Sequence, residues 1–402
     1  MRGAPFRLTL LLGALIALTP LGTDLYLPAL PAVARALQAS VDDTQRTITS
    51  FFLGLAIGQL VWGPLSDRFG RKPVLTSGLS LALLASLAGM LAPTVDTLVW
   101  VRLAQGFGLS SGPVAARSVV RDLFAREHAA QLLARMTIVF SIVPIAAPLG
   151  GALLLTVGWP AIFGAMAGLA ALLIGAVTRL LPETAPARQS ASLHPRQVAR
   201  AFAAILREPR FTAHFLLLLC TFGGIFAFVS SSAFVLQRGL GVTPGAYALM
   251  FAGVMLGQIA GAWLTSRLVM RIGIDALLRT GTRLACVAGI AILGLALLGV
   301  RHWGAVVGPM TLYMFASSCI IPAATAAALS PFPRAAGSAS SLIGTLQFAL
   351  GAAVSSALGA HFDGTAAPMA LVVALGGISA LLCERFGVRP RTAPRAPFDA
   401  PR

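Results

Sequence analysis

The sequence predicts an all-α polytopic membrane protein of twelve spans, and three observations carry that expectation. The chain of 402 residues is 57% hydrophobic and only 11% charged, with a mean hydropathy of +0.85. That leaves too little polar surface to cover a soluble globule of this size. Long apolar stretches recur, separated by short polar or Gly/Pro-containing breaks, as helices crossing a core about 30 Å thick require. Finally, the stretches are too long and too uniformly apolar for barrel strands, which leaves the helix as the way to satisfy the backbone in lipid. The spans fall at 8–33, 45–65, 73–92, 97–118, 132–156, 160–180, 211–236, 246–266, 281–300, 305–328, 338–360 and 367–383.

The formal net charge of +17 does not form a nucleic-acid patch. Of 30 Lys and Arg, 25 fall in the termini, in alternate loops or at the adjoining helix ends, whereas the opposite loops hold Arg35, Arg46, Arg238 and Arg301. By the positive-inside rule both termini are cytoplasmic, in agreement with an even span count. Arg2, Arg7 and the following apolar run resemble a secretory signal ending near Ala34-Arg35-Ala36, but the run is overlong and contains a charge, so it reads as the first span. Cys220, Cys286, Cys319 and Cys383 lie in apolar segments at unrelated spacings and read as core residues. The five His are scattered, so neither a metal nor another cofactor is expected.

A stretch of about thirty residues rich in Pro, Arg, Gln and Ser interrupts the rhythm. It divides the chain into a six-helix bundle at 1–180, a linker at 181–210, a second six-helix bundle at 211–383 and a tail at 384–402. A faint repeat links the halves: Gly58-Gln59-Leu60 returns as Gly257-Gln258-Ile259, and Arg68-Phe69-Gly70 as Arg271-Ile272-Gly273. Repeated six-span halves with a cavity between them are a transporter plan.

Asp24 alone of the 13 acids lies well inside a span. A carboxylate there costs about 2.5–3.5 kcal/mol even on the lenient insertion scale, so it should face a partner or a wet cavity. Pro20, Pro28 and Pro31 share its helical face, and each withholds an N–H from a carbonyl one turn earlier. Burial favours the neutral carboxyl, which suits a group that binds and releases a proton near neutral pH; a permanently paired structural acid is the alternative. Arg102, with Gln105 on its face, either shares a network with Asp24 or snorkels outward toward Asp96. In the loop after span two, Gly63-Pro64 is expected to end the helix and Gly70 to permit a tight turn. Asp67 there is placed to pair with Arg71 or with Arg121 of the Arg121-Asp122 pair. Such a cluster acts as a releasable latch, or its basic residues are topology anchors.

The loop Gly63-Pro64-Leu65-Ser66-Asp67-Arg68-Phe69-Gly70-Arg71-Lys72 resembles the signature of the major facilitator superfamily. The set Thr23-Asp24-Leu25-Tyr26-Leu27-Pro28, Arg102-Leu103-Ala104-Gln105-Gly106, Ala147-Pro148 with Gly150-Gly151, Leu181-Pro182-Glu183-Thr184 and Gln347-Phe348 is similar to its Bcr/CflA-type drug:proton antiporters. The resemblance implies the major facilitator fold. It also implies inner-membrane efflux of hydrophobic drugs (bicyclomycin-, chloramphenicol-, sulfonamide- or tetracycline-like) in exchange for protons. It implies Asp24 and Arg102 in proton coupling, Asp67, Arg68, Gly70, Arg71 and Lys72 in the gating loop with Asp122 as partner, and Pro148 and Gly151 in helix packing. Some multidrug relatives carry a second acid two turns before the first-span Asp; here Ile16 stands there, which fits one proton per neutral or zwitterionic drug.

Tyr26, Gln105, Phe226, Phe228, Phe234, Gln347 and Phe348 are candidates to line the cavity. The expected partners are a small-molecule drug, protons and lipid, with the chain acting as a monomer. A metabolite or amino-acid exporter of the same fold is the alternative. A membrane enzyme or receptor is disfavoured, since no intramembrane His, Glu or nucleophile is clustered with a base and there is no sizeable soluble domain.

Overall fold

The computed structural model describes residues 6–123, 142–184, 195–332 and 336–388. Fourteen helices are labelled in chain order: α1 Phe6–Asp24, α2 Leu30–Ala36, α3 Val41–Phe69, α4 Arg71–Met90, α5 Val95–Leu109, α6 Ser111–Leu123, α7 Ile142–Leu154, α8 Pro160–Leu180, α9 Pro195–Leu206, α10 Pro209–Ala233, α11 Pro244–Leu297, α12 Gly304–Leu329, α13 Ala336–Ala360 and α14 Ala367–Leu382. Ten segments among the described residues are long and apolar enough to cross a membrane. The α5–α6 pair and α7 supply the other two crossings, giving twelve.

Several boundaries depart from expectation, each for a local reason. The first span is not one helix: α1 stops at Asp24, a short 3-10 turn covers Leu27–Ala29, and α2 follows. Pro28 has no N–H for the Asp24 carbonyl, and Pro31 has none for Leu27. The fourth span likewise divides at Ser110, where Pro113 withholds an N–H from Leu109. The helix of the second span does not end at Gly63-Pro64. It runs on to Phe69 with Pro64 inside it, because one missing hydrogen bond kinks a helix without stopping the turns beyond. What stops it is Gly70, at φ 102°. The loop expected at 267–280 is helical apart from Gly273, at φ 77°. Gly70 and Gly273, the final residues of the repeated triplet, thus make the same positive-φ turn that an L side chain resists. The linker region holds α9, whose Ile205 is buried, and α14 continues through a π turn to Val388, so the first residues assigned to the tail are ordered helix.

Helices α1 and α3–α8 pack together, as do α10–α14, and the two groups meet chiefly where α13 lies along α3. Small residues set these distances. A Cβ on Gly54 would meet the Leu103 carbonyl of α5, and one on Gly106 would meet the Phe51 carbonyl of α3; the two backbones therefore touch directly. Replacing Gly106 by Leu forces α3 and α5 apart. An overpacking cost of about 1–3 kcal/mol is expected, measurable as a lower thermal midpoint of the purified protein in detergent.

Candidate functional site

Asp24 closes α1 at the chain break, and the residue is 6% exposed. Its face of α1, with Ile16, Thr19, Pro20 and Thr23, forms one wall of a cavity of about 400 Å³ between the two groups of helices. Among the described residues the carboxylate makes neither an ion pair nor a hydrogen bond. Behind it, Gly151 of α7 packs on the Leu25 carbonyl, where any Cβ would collide. Gly151 thus seats the broken segment against α7, beside the buried Pro148.

Arg102 does not join this carboxylate, nor does it snorkel outward; it is 1% exposed. Its Nη1 donates to the Gly22 carbonyl (3.0 Å) and to Gln105 Oε1 (2.6 Å), and Gln105 Nε2 donates to Ser86 Oγ (2.8 Å). The guanidinium carbon lies 4.0 Å from the Phe51 ring centroid and 4.6 Å from that of Tyr26. Cation–π attraction of about 2 kcal/mol or more in a desolvated site stands in place of a network shared with Asp24. Gly22 and Asp24 are two residues apart, about 200° around a helix, so Arg102 grips the side of α1 opposite the cavity. Arg102 Nε and Nη2 have no acceptor among the described residues.

The cavity is sealed at one end and open at the other. At the sealed end Gln237 Nε2 donates to the Pro28 carbonyl (3.1 Å), and Gln45 Nε2 donates to Ser231 Oγ (3.2 Å). Both bonds run between the two groups of helices. The ring centroid of Phe52 on α3 lies 4.9 Å from that of Phe226 and 6.3 Å from that of Phe348, joining the groups across the middle. Toward the other end Arg117, Thr325 and Ser340 line the cavity.

The open end also carries the loop that joins α3 to α4. Arg71, whose side chain is 3% exposed, is clamped between carboxylates. Its Nη1 donates to Asp67 Oδ1 and Ser66 Oγ, and its Nε donates to Asp122 Oδ2 at 2.9 Å. Asp122 lies on α6, so the guanidinium ties the α3–α4 turn to the fourth span. Arg121 belongs to the same turn of helix, but its side chain lies outside the described residues. Arg68 lies over the Phe69 ring, away from this pairing. Glu183 completes the cluster: its carboxylate accepts from the backbone N–H groups of Arg71 (2.8 Å) and Lys72 (3.2 Å). Those are unpaired donors at the α4 N-terminus, where negative charge is favoured. Lys72 Nζ donates to the Thr178 carbonyl of α8 (2.7 Å).

The Major Facilitator Superfamily profile matches residues 12–356. The chain belongs to the major facilitator superfamily. A bicyclomycin resistance protein homolog of Haemophilus influenzae is 31% identical over 95% of this chain and 96% of its own. Multidrug resistance protein D of Escherichia coli is 30% identical over 94% of each. A chloramphenicol resistance protein of Pseudomonas aeruginosa is 30% identical over 87% of this chain and 82% of its own. A D-xylose-proton symporter structure aligns with a TM-score of 0.75 over 95% of this chain and 96% of that one. At 16% identity the symporter speaks for the fold alone.

Within this facilitator, four of the expected lining residues lie elsewhere. Tyr26 is buried beneath Arg102, with its hydroxyl 3.1 Å from Thr47 Oγ1. Gln105 belongs to the Arg102 network. Phe228 stacks on Phe251 at 5.4 Å, and Phe234 packs on Phe362 at 6.0 Å. The α10 residues that do reach the cavity are Phe222, Ile225, Phe226 and Val229, spaced i, i+3, i+4, i+7. Phe228, two residues past Phe226, therefore points to the opposite face. Phe226, Gln347 and Phe348 are in the wall, together with Phe52, Gln59 and Gln258, which the sequence reading left out. Helical spacing was the signal for the α10 set. For Glu183 it was a carboxylate in the Leu181-Pro182-Glu183-Thr184 stretch, a motif noticed without a role.

The clamp around Arg71 predicts an order of losses. Asp122→Asn removes a partner that is 10% exposed, from a guanidinium that is 3% exposed, and should cost about 3–5 kcal/mol. Asp67→Asn touches a carboxylate that is 42% exposed and should cost less than about 1 kcal/mol. Thermal unfolding of the two variants in the same detergent gives the comparison; equal midpoints contradict it.

Proposed function

We propose that the chain is a proton-driven exporter of small apolar drugs that works by alternating access, as a monomer in the bacterial inner membrane with both termini cytoplasmic. The observation that carries this reading is the placement of Asp24, a carboxylate without an ion-pair partner among the described residues, in the wall of a cavity sealed at one end. The printed names of the relatives, bicyclomycin, chloramphenicol and multidrug resistance proteins, support drugs as cargo.

With the basic end cytoplasmic, the cavity faces inward. An ionised carboxylate strongly resists closure into a dry interior. Two species escape that penalty: the empty protein with Asp24 protonated, and the cargo-loaded protein in which bound drug donates hydrogen bonds to the carboxylate. Only those two exchange sides readily, so outward movement of drug is tied to inward movement of a proton. The aromatic and aliphatic wall favours apolar cargo over a polar metabolite. The Arg71 clamp holds the basic ends of the N-terminal helices together, and its loosening accompanies reorientation.

Asp24→Asn should insert normally yet lower chloramphenicol resistance to that of cells without the protein, and adding drug to proteoliposomes should no longer displace protons. Undiminished export by that variant removes Asp24 from the mechanism.

A further inference from the structure

The repeated tripeptide has a counterpart in the cavity. Gly58 and Gly257 each stand at a close helix contact in their own half: a Cβ on Gly58 would come within 2.9 Å of the Phe107 carbonyl, and one on Gly257 within 2.7 Å of the Thr311 carbonyl. Each glycine thus presses its helix against the fourth crossing of its half. The residue that follows, about 100° around the helix, turns inward, and in both halves it is a glutamine lining the cavity. The backbone of each is pinned in a similar way: Ser341 Oγ donates to the Gln59 carbonyl (3.3 Å) and Ser318 Oγ to that of Gln258 (2.7 Å).

We propose that Gln59 and Gln258 form a pseudo-symmetric pair of amides that selects cargo bearing neutral hydrogen-bonding groups, secondary amides and lactams above all. Gln59 is 5% exposed, and its Oε1 has no hydrogen-bond partner among the described residues. A buried acceptor left unpaired is costly, and a ligand N–H that reaches it relieves that cost. A primary amide offers a donor and an acceptor side by side, the complement of another amide. The aromatic group of Phe52, Phe226 and Phe348 supplies the apolar surface for the remainder of such a molecule. Neither glutamine carries charge, so the amide contacts add selectivity to the bond that cargo makes with Asp24. A site built to bond an N–H discriminates against an analogue that lacks it much more sharply than an apolar wall can.

This assignment rests on the export reading, and calorimetry on the purified full chain tests the two separately. The probes are chloramphenicol, whose secondary amide has an N–H, and its N-methyl derivative, which has none. The unsubstituted chain should bind chloramphenicol about ten times more tightly than the derivative. Gln59→Met, close to isosteric, should weaken chloramphenicol binding by about 2- to 10-fold, the worth of one net hydrogen bond, and bring the ratio toward one. Gln258→Met should add a loss of similar size. If the unsubstituted chain binds neither compound, the export reading falls and the glutamine pair with it. If it binds both equally, or if both methionine variants keep the original ratio, only the glutamine pair falls. Should the variants fail to fold, the ratio in the unsubstituted chain decides.

Discussion

Desolvation of one carboxyl group organises this molecule. Inside a bilayer an ionised carboxylate needs water, a donor or a proton, and Asp24 is given a cavity in place of a fixed partner. The cavity exists because the two groups of helices are bonded through Gln45 and Gln237 at one end and part at the other. The helix break beside Asp24 has the same origin. Pro28 leaves the Asp24 carbonyl without its helical donor, α1 ends there, and the loosened chain supplies the Pro28 carbonyl that Gln237 holds. Carboxyl group and seal are therefore parts of one short stretch of chain.

Arg102 shows a different solution to the same difficulty. Its charge is not neutralised by an acid; it is spread over two aromatic rings, a backbone carbonyl and Gln105. The result fixes α1 to α5 while leaving two guanidinium donors unused. At the basic end Arg71 takes the conventional route, with two carboxylates, and Glu183 caps the helix that begins beside it. The three arginine and carboxylate sites thus divide into a cavity carboxyl, a strut and a clamp.

Much of the architecture was legible in the sequence because lipid restricts the backbone so severely. Apolar run lengths located the crossings, and an acid inside such a run had to be exceptional. The faint repeat was legible too, and Gly70 and Gly273 make the same turn in the two halves. What could not be read was direction around a helix near a break. Tyr26 and Asp24 flank the end of α1, where regular spacing stops, so only a structure separates the residue under Arg102 from the residue in the cavity. Phe228 and Phe226 could have been told apart by the 3.6-residue period, had the α10 face been fixed first. Long-range pairing, as of Glu183 with the α4 N-terminus, leaves no local pattern at all.

Among the described residues Asp24 is the one carboxylate in the cavity wall, and under the proposed exchange this has an electrical consequence. One proton moving inward against an uncharged molecule moving outward transfers a net positive charge in every cycle. Such a cycle draws on the membrane voltage as well as the pH difference, and 100 mV contributes about 2.3 kcal/mol per charge moved. An exporter of this kind can keep working in alkaline surroundings, where the proton concentration gradient alone has vanished.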